Sequence, residues 1–160
     1  MSTSNFERMI ALAEKSFDAK NDPNQLDVNE DVIHRLLQIH PSAVIEKDDG
    51  NGPIIWIILI PTTKLLMQQF LENQITEKEL FENTPLGIVY DAVYLCSAMT
   101  LEEYRLKGIT KNLCTEAIEN IKKDNPISSI FVWSFSKEGE RLAEKIAAKT
   151  QLSLFKKLVN

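Results

Sequence analysis

A chain of 160 residues, 44% hydrophobic and 26% charged, fits one globular domain with a sizeable core. Its net charge of −5 excludes the basic face that nonspecific nucleic-acid binding needs. The longest apolar run, IIWIILI, is too short to cross a bilayer, and MSTSNFERMI lacks the basic flank and apolar core of a signal peptide, so no membrane association and a cytoplasmic location are expected.

Phe6, Met9, Ile10, Ala13 and Phe17 recur at helical spacing and predict a first helix over residues 5–19, broken by NDPN. A second helix is predicted from Asp27, where DVNE supplies an acidic cap and Glu30 three residues on, with a stripe of Val32, Ile33, Leu36 and Leu37. Pro41 ends it. SAVIEK and PIIWIILI read as strands joined by the turn DDGNG, which makes an antiparallel hairpin. Two helices follow, TTKLLMQQFLENQ and TEKELFEN, the second with Thr76 and Glu79 as a capping box.

Strand character returns in GIVYDAVYLCSAM. The helix after Gly108 carries Ile109, Leu113, Ala117 and Ile121 on one face, and DNP stops it. ISSIFVWSF is the next strand. Ser136 caps a last helix with Leu142, Ala143, Ile146 and Ala147, and LSLFKKLV closes the chain as a strand. The order ααββααβαβαβ predicts an α/β or α+β domain: a mixed, mostly antiparallel central sheet with helices on both faces.

Between the third strand and its helix lies EEYRLKGIT. The first N–H groups of a helix lack intrahelical partners, and the dipole makes that end positive. Gly108 allows close backbone approach, while Arg105, Lys107 and Lys111 collect positive charge in an acidic protein. That chemistry suits a phosphate. It equally suits a plain helix start with solvated basic residues.

The segment MTLEEYRLKGITKNLCTEAI resembles the acetyl-coenzyme A-binding segment of the GNAT acetyltransferase superfamily. Arg105, Gly108 and Thr110 fall on that family's pattern of Arg or Gln, two residues, Gly, one residue, then Gly or Ala. LEEYR is similar to the family's approach to this loop, and SFSKEGERLAEKI to its later strand-to-helix stretch. The likeness covers residues 91–146; the first half resembles the family by element order. It implies that backbone amides of Arg105, Leu106, Lys107, Gly108, Ile109 and Thr110 hold the coenzyme A pyrophosphate. It implies that pantetheine pairs like an added strand with Met99, Thr100 and Leu101, and that Ser136 lies at the cofactor. Leu106 stands where Gly is common, Thr110 replaces a smaller residue, and Glu102 replaces a frequent Pro.

The resemblance leaves the catalytic residues unknown. Ala143 falls where many members have a Tyr as general acid, and Asp91 and Glu46 are the acids on or beside the central strand. The expected function is transfer of an acetyl or other acyl group from coenzyme A to a small-molecule amine or peptide acceptor. The alternatives are a non-catalytic acyl-coenzyme A-binding or sensing module, and an interaction module that keeps the fold without ligand. A homodimer is left open, and the acids of residues 72–82 would suit a cationic acceptor. Two His and two Cys without a CxxC spacing offer no metal site and no disulfide framework. Both His are expected at the surface, Cys96 in the core, and Tyr94 in the core or on a cleft wall.

Overall fold

The computed structural model describes residues 3–20, 25–133 and 135–157. The expected break at 21–24, Ser134, and the last two residues of the closing strand lie outside the described residues, as does the side chain of Phe17.

Among the described residues, six helices and five strands follow the expected order: α1 (Asn5–Lys20), α2 (Glu30–Ile39), β1 (Val44–Asp48), β2 (Pro53–Thr62), α3 (Lys64–Leu71), α4 (Glu77–Asn83), β3 (Ala92–Thr100), α5 (Ile109–Asp124), β4 (Ser129–Trp133), α6 (Lys137–Thr150) and β5 (Ser153–Lys157). One sheet holds them in the order β1-β2-β3-β4-β5. β1/β2 and β2/β3 are antiparallel, β3/β4 and β4/β5 parallel. The sheet is thus mixed, with its longest strands, β2 and β3, in the antiparallel half.

β2 reads PIIWIILIPT, and all of it but Trp56 is buried. It has a strand on each side and helices on each face, so alternation has no solvent side to point to. Its even positions share a face with Tyr94, which is opposite Ile60. Phe6 of α1 packs on Trp56 there, and Phe70 of α3 meets Tyr94 and Phe131. The other face carries α5 and α6, which pack on each other. Crossovers of one hand between successive parallel neighbours place both helices on the same side. His40 at the end of α2 reaches Asp124 of α5, which adds α2 to that layer.

Two boundaries and the burial of two residues differ from expectation. α2 starts at Glu30 with Asn29 as its cap, the side chain accepting from the Val32 N–H; Asp27 lies outside it. An acid at 27 is two residues early for the stripe that gets buried, Leu36 and Ile39. Leu37 is exposed. β3 starts at Ala92, since Asp91 is turned to the α3 N-terminus, its Oδ1 accepting from the Lys64 N–H at 2.8 Å. His40 is buried, with Nδ1 accepting from the Ser42 N–H and Nε2 3.1 Å from Asp124. The capping box at Thr76 and Glu79 and the Ser136 cap form as expected.

Candidate functional site

β3 and β4 pair from Ala92/Ser129 to Leu95/Val132, and there the ladder ends. β3 runs on to Thr100, still paired with β2 on its other edge, while β4 stops at Trp133. A bulge sits at the parting point. Ile58 is opposite Ser97 and Leu59 is opposite Leu95, so Cys96 is the extra residue. Such an insertion bends and twists its strand, which here turns β3 away from β4. The diverging strands leave residues 97–99 of β3 facing a gap rather than a β4 ladder.

The gap opens into a cavity of about 170 Å³, floored by Leu95, Cys96 and Met99 and roofed by Val132, Ser136 and Ala143. A dry cavity of roughly 150 Å³ admits benzene, so an acyl group and a few methylenes fit. Cys114 of α5 closes its inner end, and burial pushes that thiol up to about 12. Cys96 and Cys114 are buried free thiols, inert as nucleophiles.

At the far end of β3 the chain makes a short 3₁₀ turn, Glu102–Tyr104, then enters residues 105–110. Leu106 has φ 62° and Gly108 φ 78°, two left-handed residues within three positions. Gly108 is the N-cap of α5 and makes no side-chain cap bond, so the first amides of α5 point outward without a capping oxygen. A Cβ built on Gly108 meets nothing within 4 Å. The packing therefore does not demand glycine; the left-handed backbone favours it, and the space above stays open. The Arg105 Nε–H donates to the Thr100 carbonyl at 2.9 Å, and the Thr100 and Thr110 hydroxyls are 2.6 Å apart. These bonds pin the loop to the end of β3. Thr110 thus ties the helix start to the strand. The Lys107 ammonium lies 5.8 Å from the Tyr104 ring centroid.

The loop is braced from α1 and the hairpin. The Arg8 guanidinium pairs with both Glu103 oxygens, Nη1 to Oε2 at 2.8 Å, and that pairing holds the Glu103 carboxyl down at about 2. The Tyr104 hydroxyl donates to Asp49 at 2.6 Å, and Asn5 Nδ2 to the same carboxylate at 3.1 Å. Two segments distant in sequence, α1 and the hairpin turn, hold residues 102–104 in place.

The structure brings Met99, Ser136 and the open β3 edge to one cavity, and Arg105, Leu106, Lys107, Gly108, Ile109 and Thr110 to the strand end just beyond. Leu101 is buried, its N–H given to the Ile54 carbonyl, and Ser136 spends its hydroxyl on the Gly139 N–H. Ala143 is 1% exposed and lines the cavity. Of the candidate bases, Asp91 is engaged at the opposite end of β3. Glu46 is exposed on β1 and accepts from the Trp56 indole N–H at 2.7 Å, in a row that runs Glu46, Trp56, Met99 across three strands. Tyr94 does not line the cavity. It faces α4, where its hydroxyl donates to Glu77 Oε2 at 2.6 Å, and burial raises it well above its ordinary range. Glu77, buried, also accepts the Leu26 N–H at 2.8 Å.

The burial of Glu77, one of the acids at 72–82 expected to suit a cationic acceptor, and a second cavity were missed from sequence. That cavity, about 210 Å³, lies between the α3–α4 turn and the ends of β4 and β5, with Thr76, Glu77, Glu79, Trp133 and Lys157 in its wall. The signal was weak: one more acid in a run of acids. Among the described residues no group of three or more His, Cys, Asp or Glu could hold a metal ion, and no helix is long and apolar enough to cross a membrane. No protein-family model, curated protein or solved structure matches this chain.

Proposed function

We propose that this protein is an acyl-coenzyme A-dependent N-acyltransferase, acting in the cytoplasm. One observation carries the reading: the β3/β4 ladder ends at Leu95/Val132 over a cavity, while β3 continues to a helix start with no side-chain cap. Pantetheine has two amides to pair with the open β3 edge, and its pyrophosphate end suits the free amides after Gly108. An acyl group at the inner end would lie in the cavity beside Met99 and Ala143.

In the reaction, the lone pair of a neutral amine attacks the thioester carbonyl. The C–N bond forms, the C–S bond breaks, the thiolate leaves, and the amine proton passes to solvent. An outward N–H of the open β3 edge would polarise the carbonyl oxygen. Holding both reactants in one cleft supplies much of the rate, so a dedicated acid is not required. Glu46 is the carboxylate nearest in register to Met99 and is the residue to test as base. A second reading, an acyl-coenzyme A-binding module without turnover, draws support from the buried Ala143 and the engaged Asp91.

Thermal unfolding with coenzyme A, dephospho-coenzyme A and ATP tests the ligand. Coenzyme A is expected to stabilise the fold by about 2.7 kcal/mol at a hundredfold excess over its dissociation constant. Gly108→Ala is expected to weaken that response while the protein stays folded. No stabilisation by any coenzyme A form would overturn the proposal, and binding without turnover on a panel of amines would favour the second reading.

A further inference from the structure

The wall of the second cavity includes a cation, Lys157. Lys157, the last residue of β5, points its ammonium over two rings, 4.2 Å from the Phe70 centroid and 4.8 Å from that of Trp133. Those rings meet edge to face at 84° with centroids 5.9 Å apart, so they form two walls of a corner around the charge. Such faces attract a cation through the ring quadrupole, more strongly when water is excluded. Phe70 is fully buried, and Trp133 is half-buried. Two carboxylates, Glu77 and Glu79, line the same cavity. Both stand in the first turn of α4, so they offset the positive end of that helix, which would otherwise repel a cation. Glu79 is fixed by the capping box and Glu77 by its bonds from Leu26 and Tyr94, so both negative charges keep their places beside the cavity.

We propose that this cavity is an alkylammonium-binding site, held in the present structure by the protein's own Lys157. Corner-set aromatic faces and fixed carboxylates recognise an ammonium, whereas a neutral alcohol of the same shape gains neither attraction. A tethered occupant competes at high effective concentration, so Lys157 sets the affinity that an external amine must exceed. Trp133 also lines the cavity between β3 and β4, which makes the two chambers neighbours across one side chain. The site would then hold the charged end of a diamine or similar acceptor while its other nitrogen reaches the acyl group. That assignment to the acceptor rests on the acyltransfer reading; ammonium binding itself does not.

The test therefore uses the whole protein without coenzyme A. Propylammonium is titrated by calorimetry against wild type and Lys157→Met, with propanol as the neutral control. Lys157→Met is expected to bind at least about tenfold more tightly than wild type, and Trp133→Leu in that background to lose the gain. In wild type, saturating propylammonium is expected to drive the Lys157 ε-methylene protons downfield as they leave the ring faces, a readout that stands even if Lys157→Met folds poorly. Equal affinity in the two proteins, an equal response to propanol, or unmoved Lys157 resonances at saturation would overturn the site. Ammonium binding together with no response to coenzyme A would keep the site and remove the acyltransfer reading.

Discussion

Leu106 is the residue most at odds with its surroundings. It is 94% exposed and has φ 62°, so it meets no packing in exchange for a left-handed backbone. That conformation costs an L-residue about 1–2 kcal/mol, against roughly 0.5–1 kcal/mol of extra chain entropy for glycine. Leu106→Gly is therefore expected to be neutral or to stabilise by up to about 1 kcal/mol in urea unfolding; a loss of that size would mean the backbone at 106 is not left-handed in solution. The sequence showed a Leu where the resembling family has Gly, and the positive φ supplies the reason that glycine suits the position. Cys114 gives a pH dependence. Burial raises its thiol from the ordinary 9.0 to about 12, so in that interval the unfolded chain has lost a proton that the folded one keeps. The stability contributed is complete below pH 9 and is lost as pH rises toward 12. Urea midpoints are expected to fall across that window, and Cys114→Ala to fall less steeply. Tyr94, raised in the same direction by burial, accounts for part of the slope that remains.

At the scale of elements, what could be read from sequence was whatever local chemistry decides. Thr76 and Glu79 declare a capping box, Ser136 a cap, DDGNG a turn, and Gly108 a helix start, and each is where its residues put it. Ser136→Ala would leave the Gly139 N–H without its side-chain acceptor and is expected to cost about 1 kcal/mol in thermal or urea unfolding. Ser136→Asp, a good cap in itself, is expected to keep the stability, which separates capping from any contact with ligand. Long-range partners were not legible. Asp91 reads as part of a strand until Lys64, 27 residues away, claims its carboxylate. Glu77 reads as one acid among many until Leu26 and Tyr94 bury it. Simple alternation along β3 would put Tyr94, Cys96 and Ala98 on one face, but the bulge at Cys96 sets Tyr94 opposite Ile60 and Ala98 opposite Ile57, on different faces, and no local pattern states that. The α1 stripe fails for the same reason: Met9 is buried, but Phe6 is 57% exposed because it rests on the rim at Trp56.

Across the whole molecule, the two halves of the sheet have different jobs. The hairpin half, β1 to β3, is continuous and buries the apolar run of β2. The parallel half carries the opening, and its site residues come from β3, α5, α6 and the loop between them. The element order pointed to a mixed sheet with both faces covered, and the loop chemistry pointed to residues 105–110. The end of the β3/β4 ladder could not be read, because it depends on one extra residue, Cys96, inside a strand whose apolar pattern runs on without interruption.

A ladder closed at one end only has a consequence for motion. The rungs from Ala92/Ser129 to Leu95/Val132 are a short zip, and beyond them β4 offers no partner to residues 97–99 of β3. Amide exchange along that one edge should therefore form a gradient, slow at residues 92–95 and fast at 97–99, while amides turned to β2 stay protected throughout. A ligand that adds itself as a strand would erase the gradient and leave the β2 side unchanged. One filling only the cavity below would slow the sheet evenly. Hydrogen exchange along this single strand thus tells a molecule laid against the sheet edge from one lodged beneath it.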